Sequence, residues 1–543
     1  MDPSLPRAFG LGPAVVPRSR SNGFSALVEA VRCRAAAQLL PPGAVLRPFP
    51  SLLVSAAGVV PQGAYAEATA AFLNPPKSRV DDLAGRLRAK RVGVVAHFYM
   101  DAEVQGVLTA AKASWPHIAI SDSLAMADAA VAQARAGCTT IAVLGVDFMS
   151  ENVRAILDDA GFGAVKVYRL AEAAIGCTLA EAAERDDYFA WLAAAAAQPG
   201  PALHVVYINT SLRTKALADA AMPTITCTSS NVVATVLTAA AQVPGLRVYY
   251  GPDSYMGANL GTLLRRAAAS SPEEVAALHP DHTPATIASL LPRLYSYPNG
   301  ACVVHELFGA GVASALKAGY SDAFITAHFE VPGELFGLAM AARARGMGAV
   351  GSTQNILDFI LARTDEPLAR DQRSERLRFI LGTETGMTTA IVDALQRRLA
   401  GVPAGSPAVD VEIVFPVSTD AVAQTHLAAA AAGAGGASPS VASLAIVPGP
   451  AGGEGCSPEG GCASCPYMKM NTLAALSSLL DKVGTPGAAL LAGFEPEAYT
   501  QAAPRGGSIA QAGCVPILHM RGFQTAKRLP DALVSDILAR ARQ

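Results

Sequence analysis

Val92-Gly-Val-Val-Ala-His97-Phe-Tyr99-Met-Asp-Ala-Glu103-Val-Gln105 is a β-branched run, then a polar turn, then the start of an Ala-rich segment of helical character. The theme recurs from about Arg91 to Pro416. Its short runs are Val92 to Ala96, Ile118 to Ile120, Thr140 to Leu144, His204 to Ile208, Thr224 to Thr226, Leu246 to Tyr250, Cys302 to Val304, Ala323 to Thr326, Ala349 to Val350, Phe379 to Leu381 and Val411 to Phe415. Alternation of this kind predicts an α/β protein whose parallel sheets are covered by helices. The turns after the runs read His97-Phe-Tyr99, Ser121-Asp-Ser123, Asn209-Thr-Ser211, Thr228-Ser-Ser-Asn231, His328-Phe-Glu330 and Gly351-Ser-Thr353. Ligands in such folds bind at the carboxyl ends of strands, so these turns are expected to line a site.

A chain of 543 residues exceeds what one core usually organises, which predicts three or four structural units. The formal charge of -2 leaves no basic footprint for nucleic acid. No apolar run approaches the roughly 18 residues that a membrane span needs. Nine cysteines, irregularly spaced, are too few for a secreted disulfide framework and favour metal or redox use in a reducing compartment. Leu427 to Glu454 is Ala/Gly/Ser/Pro-rich and reads as a flexible surface insertion. Pro272 to Pro298, rich in Pro and His, reads as a peripheral excursion, and residues 1–48, with many arginines and few acids, superficially suit a transit peptide.

Cys177, Cys302 and Cys465 lie far apart, each inside a short polar motif, and a cluster held by such thiolates would sit at a junction between units. Cys456-Ser-Pro-Glu-Gly-Gly-Cys462-Ala-Ser-Cys465-Pro466 is the strongest local cysteine signal; by itself it leaves open an iron-sulfur ligand set, a zinc site, a redox pair and bystander thiols. Cys302-Val-Val-His305 offers a thiolate and an imidazole three apart, against the plainer reading of an interior thiol and a satisfied histidine. Cys177 begins a helical segment, where the dipole lowers a thiol pKa. Cys138 and Cys227 flank or end apolar strands and read as core thiols, while Cys33 and Cys514 have no ligand pattern nearby.

His97 and Tyr99 share a face if extended, and His328 and Glu330 repeat that spacing, which suits acid-base work around a charged substrate. Buried, satisfied side chains remain the plainer reading of each pair. Ser and Thr in the strand-end turns either cap the following helices or, with several helix starts converging, hold phosphate and carboxylate groups. No Walker or dinucleotide glycine pattern is present.

In this order the motifs resemble the quinolinate synthases, iron-sulfur enzymes of NAD biosynthesis, and particularly their plant plastid type. The resemblance runs from about residue 50 to 520. It is carried by Val94-Val-Ala-His97-Phe-Tyr99-Met-Asp-Ala-Glu103-Val-Gln105, Ser121-Asp-Ser-Leu124, Tyr207-Ile-Asn209-Thr, Cys227-Thr-Ser229-Ser-Asn231, Cys302-Val-Val-His305, His328-Phe-Glu330, Gly351-Ser-Thr353, Gly382-Thr-Glu384 and Cys465-Pro-Tyr-Met468-Lys-Met-Asn471. It implies three related α/β/α domains with parallel sheets around a pseudo-threefold axis. The expected division is 49–180, 181–300 and 301–480, the last carrying the insertion at 427–454, with a C-terminal extension over 481–543. Each domain would give one cysteine, Cys177, Cys302 (just past the expected boundary at 300) or Cys465, to a 4Fe-4S cluster whose fourth iron stays open as a Lewis acid. The reaction implied condenses iminoaspartate with dihydroxyacetone phosphate and loses phosphate and two waters to give quinolinate. His97, Ser123, Tyr207, Asn209, Ser229, His328, Glu330 and Thr353 match positions that hold the dicarboxylate or phosphate, and Tyr99, His305 and Glu330 are the expected acid-base groups. Lys215 is expected to add positive potential. The resemblance further implies a plastid location, L-aspartate oxidase, cysteine desulfurase and cluster-assembly proteins as partners, and is compatible with a homodimer.

Three departures accompany it. Where bacterial members usually read His-Pro-Glu-Cys, this chain has His328-Phe329-Glu330-Val331; and where bacterial relatives often have a tighter Cys-x-x-Cys-x-x-Cys arrangement, five residues separate Cys456 from Cys462, both close enough to Cys465 for disulfides after cluster loss. Phe9-Gly-Leu-Gly12 and Ser19-Arg-Ser-Asn-Gly-Phe24-Ser-Ala-Leu-Val28 resemble only the last segment of the SufE-like sulfur-acceptor domain of plant enzymes, so residues 1–48 are expected to be its remnant, without sulfur-acceptor activity. Two other readings stay on the table from the residues alone: an aconitase-like hydro-lyase, and a non-catalytic iron-sulfur carrier or redox sensor.

Overall fold

Every apolar run between Val92 and Thr226 forms a strand, because β-branched side chains buried on both faces satisfy a parallel sheet covered by helices. The computed structural model describes residues 49–302, 304–370, 375–401, 408–416, 447–448, 455–456, 465 and 467–542. The chain enters through a hairpin, β1 (Ser51–Ser55) and β2 (Gly58–Gln62), closed at Ser55 and Gly58. The first parallel sheet contains β3 (Val92–His97), β4 (Ile118–Ser121), β5 (Thr140–Leu144) and β6 (Lys166–Arg169), in the order β4-β3-β5-β6. The second holds β7 (Ala202–Tyr207), β8 (Thr224–Cys227), β9 (Arg247–Gly251) and β10 (Leu294–Ser296), in the order β10-β9-β7-β8. The third is mixed and six-stranded: β11 (Phe324–His328), β12 (Gly348–Gly351), β13 (Glu375–Gly382) and β14 (Val409–Val414) are parallel, and β1 lies antiparallel on β14.

The α/β reading therefore holds, with four local differences. Cys302 to Val304 is not a strand: Cys302 lies in irregular backbone, and its carbonyl accepts the amide of Glu306 at 3.1 Å, a turn bond that replaces a ladder bond. β6 and β10 are short edge strands that carry polar residues on their open side, so neither shows an apolar run. The stretch from Pro272 to Pro298 is not a peripheral excursion. It contains helices Pro272–Leu278 and Pro284–Leu290, whose prolines occupy the first helical turn behind capping boxes and whose Val275, Ile287 and Leu290 are completely buried, and it ends in β10. Its histidines are satisfied, His282 Nε2 by the Leu237 carbonyl at 2.8 Å and His279 Nε2 by Thr238 Oγ1 at 3.0 Å.

The expected boundary at residue 49 also needs correction, since the hairpin pairs with the third sheet and not the first. Ser51 stands opposite Val414, Leu52 and Val54 are buried, and Ser51 Oγ donates to Glu412 Oε1 at 2.9 Å, so β1 covers an edge that β14 would otherwise leave open. Within 481–543, helix Ile509–Ala526 lies on β8 and on helix Leu212–Ala221 of the second unit, and the Leu529 amide donates to Gln242 Oε1 at 2.7 Å. Residues 1–48 and most of the 427–454 insertion lie outside the described residues. Among the described residues no helix is long and apolar enough to cross a membrane.

Candidate active site

The carboxyl ends of β3, β7 and β11, one from each sheet, meet. β3 ends at His97 and β11 at His328, and the two turns repeat one device: the imidazole Nδ1 accepts the amide two residues on, Tyr99 N to His97 at 3.2 Å and Glu330 N to His328 at 3.4 Å. A nitrogen that accepts carries no proton, so each neutral ring bears its proton on Nε2. Burial pushes His97 down to about 4 and His328 to about 3, against a smaller upward pull from Glu330, so both rings are neutral near pH 7.

Glu330 is the ionised centre of the cluster. Burial alone would raise its pKa, but His305 and the Tyr207 hydroxyl, both within hydrogen-bond distance, hold it below the usual carboxylate range. Tyr207, at the end of β7, donates its hydroxyl to Glu330 Oε1, and His305 Nδ1 lies 3.2 Å from Glu330 Oε2. The same nitrogen is 3.2 Å from Cys302 Sγ, His305 Nε2 is 3.4 Å from Thr383 Oγ1, and the ring stacks on His328 with centroids 4.8 Å apart. Tyr99 packs edge-on against His97 at 4.5 Å, and its hydroxyl bonds Thr383. Ser229 Oγ is 3.1 Å from His328 Nε2.

Three expected residues stand at matching strand ends without joining this network. Ser123 and Thr353 are buried and Asn209 half-buried, and none makes a side-chain hydrogen bond among the described residues. The helix caps beside two of them are taken by a neighbour, Asp122 before Ser123 and Ser352 before Thr353, so capping does not account for either hydroxyl. Lys215 does not face the pocket; it is completely buried and its Nζ donates to the carbonyls of Ile208 (3.2 Å) and Thr210.

The three cysteines share one local geometry. Each opens a helical turn: the carbonyl of Cys177 accepts Glu181 N at 2.9 Å, that of Cys302 accepts Glu306 N at 3.1 Å, and that of Cys465 accepts Lys469 N at 3.2 Å. Each thiol receives amides of its own turn, Leu179 and Ala180 at Cys177, His305 at Cys302, Tyr467 and Met468 at Cys465. The residues are partly accessible yet deep in the protein, as expected for side chains that line an interior cavity. Cys465 is near enough to Cys177 and to Cys302 for their charges to interact. Burial pushes Cys177 up to about 12 and raises the other two well above the usual thiol range, outweighing the lowering expected from a helix start. Such a donor set fits a metal centre, which brings the positive charge that stabilises buried thiolates, and amides aimed at sulfur are a recurrent support for iron-sulfur ligands.

Neighbouring segments lock these turns together. Gln105 Nε2 donates to Phe98 O and Met100 O, both at 2.7 Å, and to Gly386 O across the junction. Gly386 is required there, because a Cβ would stand 2.7 Å from Phe98 O. Lys469 Nζ, four residues after Cys465, pairs with buried Asp101 at 3.4 Å.

Four residues at strand ends had no role assigned from sequence. Thr383 and Glu384 follow β13; Tyr250 is the last residue but one of β9, and Asp253 caps the helix that follows. Tyr250 Oη, Asp253 Oδ2 and Glu384 Oε2 are buried without a hydrogen-bond partner among the described residues. Burial and the charge of Glu330 push Asp253 and Glu384 well above the usual carboxylate range, so the pocket holds one ionised carboxylate among protonated neighbours. Position at or just after a strand end is the signal that marks them in the sequence, and Gly382-Thr-Glu384 is one of the motifs that carry the family resemblance. Cys138, Cys227 and Cys514 are buried interior thiols, while Cys33, Cys462 and the side chain of Cys456 lie outside the described residues.

Three sheets that converge on buried thiols and acid-base groups define a multi-unit α/β protein with one shared interior site. The family profile described as quinolinate synthetase A protein matches residues 81–403. The chain is 54% identical over 495 residues to a chloroplastic quinolinate synthase of Nicotiana tabacum, covering 91% of this chain and 67% of that one. It is 54% identical over 496 residues to the chloroplastic quinolinate synthase of Arabidopsis thaliana, with the same coverage of 91% and 67%. A quinolinate synthase of Thermosynechococcus vestitus is 27% identical over 336 residues, 61% of this chain and 79% of that one. The chain thus spans about two thirds of each plant relative's length, and it belongs to the quinolinate synthase family.

Proposed function

We propose that the chain condenses iminoaspartate with dihydroxyacetone phosphate to quinolinate, releasing phosphate and two waters, in the plastid. The observation that carries this reading is the threefold repetition of a cysteine-opened turn beside one ionised carboxylate, Glu330. Cys177, Cys302 and Cys465 would hold a 4Fe-4S cluster; when bound, it supplies Lewis acidity toward a substrate oxygen or nitrogen. Three protein ligands for a four-iron cluster leave one iron without a thiolate.

The remaining work falls to side chains. His97 and His328 present neutral Nε2–H donors suited to a carboxylate or phosphate oxygen, and Ser229, Asn209, Ser123 and Thr353 add hydroxyl and amide groups from the surrounding strand ends. Glu330, ionised and bonded by Tyr207, is the base; His305 and Tyr99 lie within its network and supply protons to departing oxygens. Burial keeps bulk water from the reactive enamine and imine species. L-aspartate oxidase, as the source of iminoaspartate, and cysteine desulfurase with cluster-assembly proteins are the partners this activity requires.

The test is anaerobic reconstitution with iron and sulfide, followed by mass detection of quinolinate from dihydroxyacetone phosphate and freshly generated iminoaspartate, with Cys465→Ser as control. Quinolinate from the wild type alone supports the proposal. A retained cluster without quinolinate would favour a hydro-lyase, and transfer of the cluster to an acceptor without turnover would favour a carrier.

A further inference from the structure

We propose that Lys215 is a positioning residue that clamps the substrate turn after β7, and that the C-terminal segment from Tyr499 to Ala526 braces the clamp; this rests on the assignment of Tyr207 and Asn209 to the site. Lys215 lies in helix Leu212–Ala221, and its Nζ reaches back to the carbonyls on either side of Asn209, Ile208 O at 3.2 Å and Thr210 O. Thr210 Oγ1 adds a bond to Tyr207 O at 3.0 Å. The amine and the Thr210 hydroxyl thus add to the backbone bonds from Ile208 N to Cys227 O (2.8 Å) and from Thr210 N to Ile208 O (2.7 Å). Without Lys215 its bonds to two buried carbonyls are lost, and the turn that aims Asn209 is held less firmly.

Burial lowers the Lys215 amine to about 7, and the largest opposing pull comes from another unit. Among the described residues no carboxylate oxygen pairs directly with Nζ; Glu151, in helix Asp147–Asp159 of the first unit, acts on it from slightly farther away. Glu151 Oε2 accepts the Leu212 amide at 2.9 Å, and Glu151 Oε1 accepts the Tyr499 hydroxyl at 3.1 Å. One carboxylate thus joins the first unit, the start of the Lys215 helix and the C-terminal segment. That segment approaches as closely as backbone permits: a Cβ on Gly513 would stand 2.2 Å from Leu212 O. Ser211, which caps the same helix, donates to Glu184 Oε1 at 2.6 Å, so a second carboxylate lies at this helix start. Residues 499–526 lie beyond the span that the family profile matches, yet they hold the start of the helix that carries the clamp.

Lys215→Met keeps most of the length of the side chain and removes both bonds. Glu151→Gln/Lys215→Met also removes the carboxylate that the single change strands, so it separates folding from positioning. Both variants and Tyr499→Phe would be compared with wild type for cluster absorbance, thermal midpoint, steady-state kinetics and hydrogen exchange of peptides spanning residues 207–211. Lys215→Met is expected to raise KM by about tenfold, about 1.4 kcal/mol of substrate binding lost when Asn209 is less firmly aimed, with cluster absorbance unchanged. The double variant should recover the thermal midpoint but keep the raised KM and the faster exchange of the 207–211 turn. A KM that returns to the wild-type value along with the thermal midpoint, or exchange in the turn that is unchanged by Lys215→Met, overturns the proposal. If wild type formed no quinolinate, the assigned function would fail, and the exchange measurement would still decide whether Lys215 clamps the turn.

Discussion

Glu330 and Glu384 are the same residue type at neighbouring strand ends, and their surroundings put them in opposite states: histidines and a tyrosine hydroxyl surround the first, while the second has one oxygen on the Cys465 amide and the other unpartnered. Sequence motifs located both, but only the partners decide which holds a proton. The cysteines show the same division. Cys138 and Cys302 are both free thiols near strands, yet only Cys302 opens a turn whose own amide faces the sulfur and only Cys302 neighbours a second thiol and Glu330. Cys302→Ser is therefore expected to abolish the visible absorbance of the cluster and activity together, while Cys138→Ser spares both. Equal loss in the two variants, measured after identical reconstitution, would sink the ligand assignment.

Elements were legible where one physical signal dominated. Central strands such as β3 and β5, buried at every position, announce themselves as apolar runs; the edge strands β6 and β10 and the hairpin strand β2 are exposed on one side and do not. The contact between β7 and helix Asp186–Ala196 shows what such packing demands of a polar group. His204 is completely buried in β7, its Nε2 is 2.8 Å from the Tyr188 hydroxyl, and burial pushes its pKa from 6.5 down to about 3. Between those values the unfolded chain binds a proton that the native protein refuses. The contribution of His204 to stability is thus fully present above pH 6.5 and falls as pH drops toward 3, by up to about 1.4 kcal/mol per pH unit. His204→Gln is expected to lose less stability than wild type between pH 7 and about 5 in chemical denaturation. An identical slope for the two proteins would show that this histidine is not held neutral.

At the scale of the whole molecule, one thiol from each of three distant chain segments closes a single junction. A metal centre bound there cross-links the turns at Cys177, Cys302 and Cys465, and binding to the native state alone raises its stability. The reconstituted protein is expected to melt higher than the metal-free protein, whereas Cys465→Ser should show the same midpoint with and without iron and sulfide. A midpoint that ignores reconstitution in the wild type would argue that the three turns do not share a ligand. The sequence by itself determined the alternation of strand, turn and helix and the residue types placed in each turn, because both follow from local periodicity and backbone preference. Tertiary structure alone decided that β1 closes the third sheet, that Pro272 to Pro298 packs inward, that Glu330 is ionised among protonated neighbours, and that Lys215 turns away from the pocket to hold the Asn209 turn. Those outcomes depend on which groups approach through space, and a pKa or a strand edge is set by such neighbours rather than by the residues adjacent in the chain.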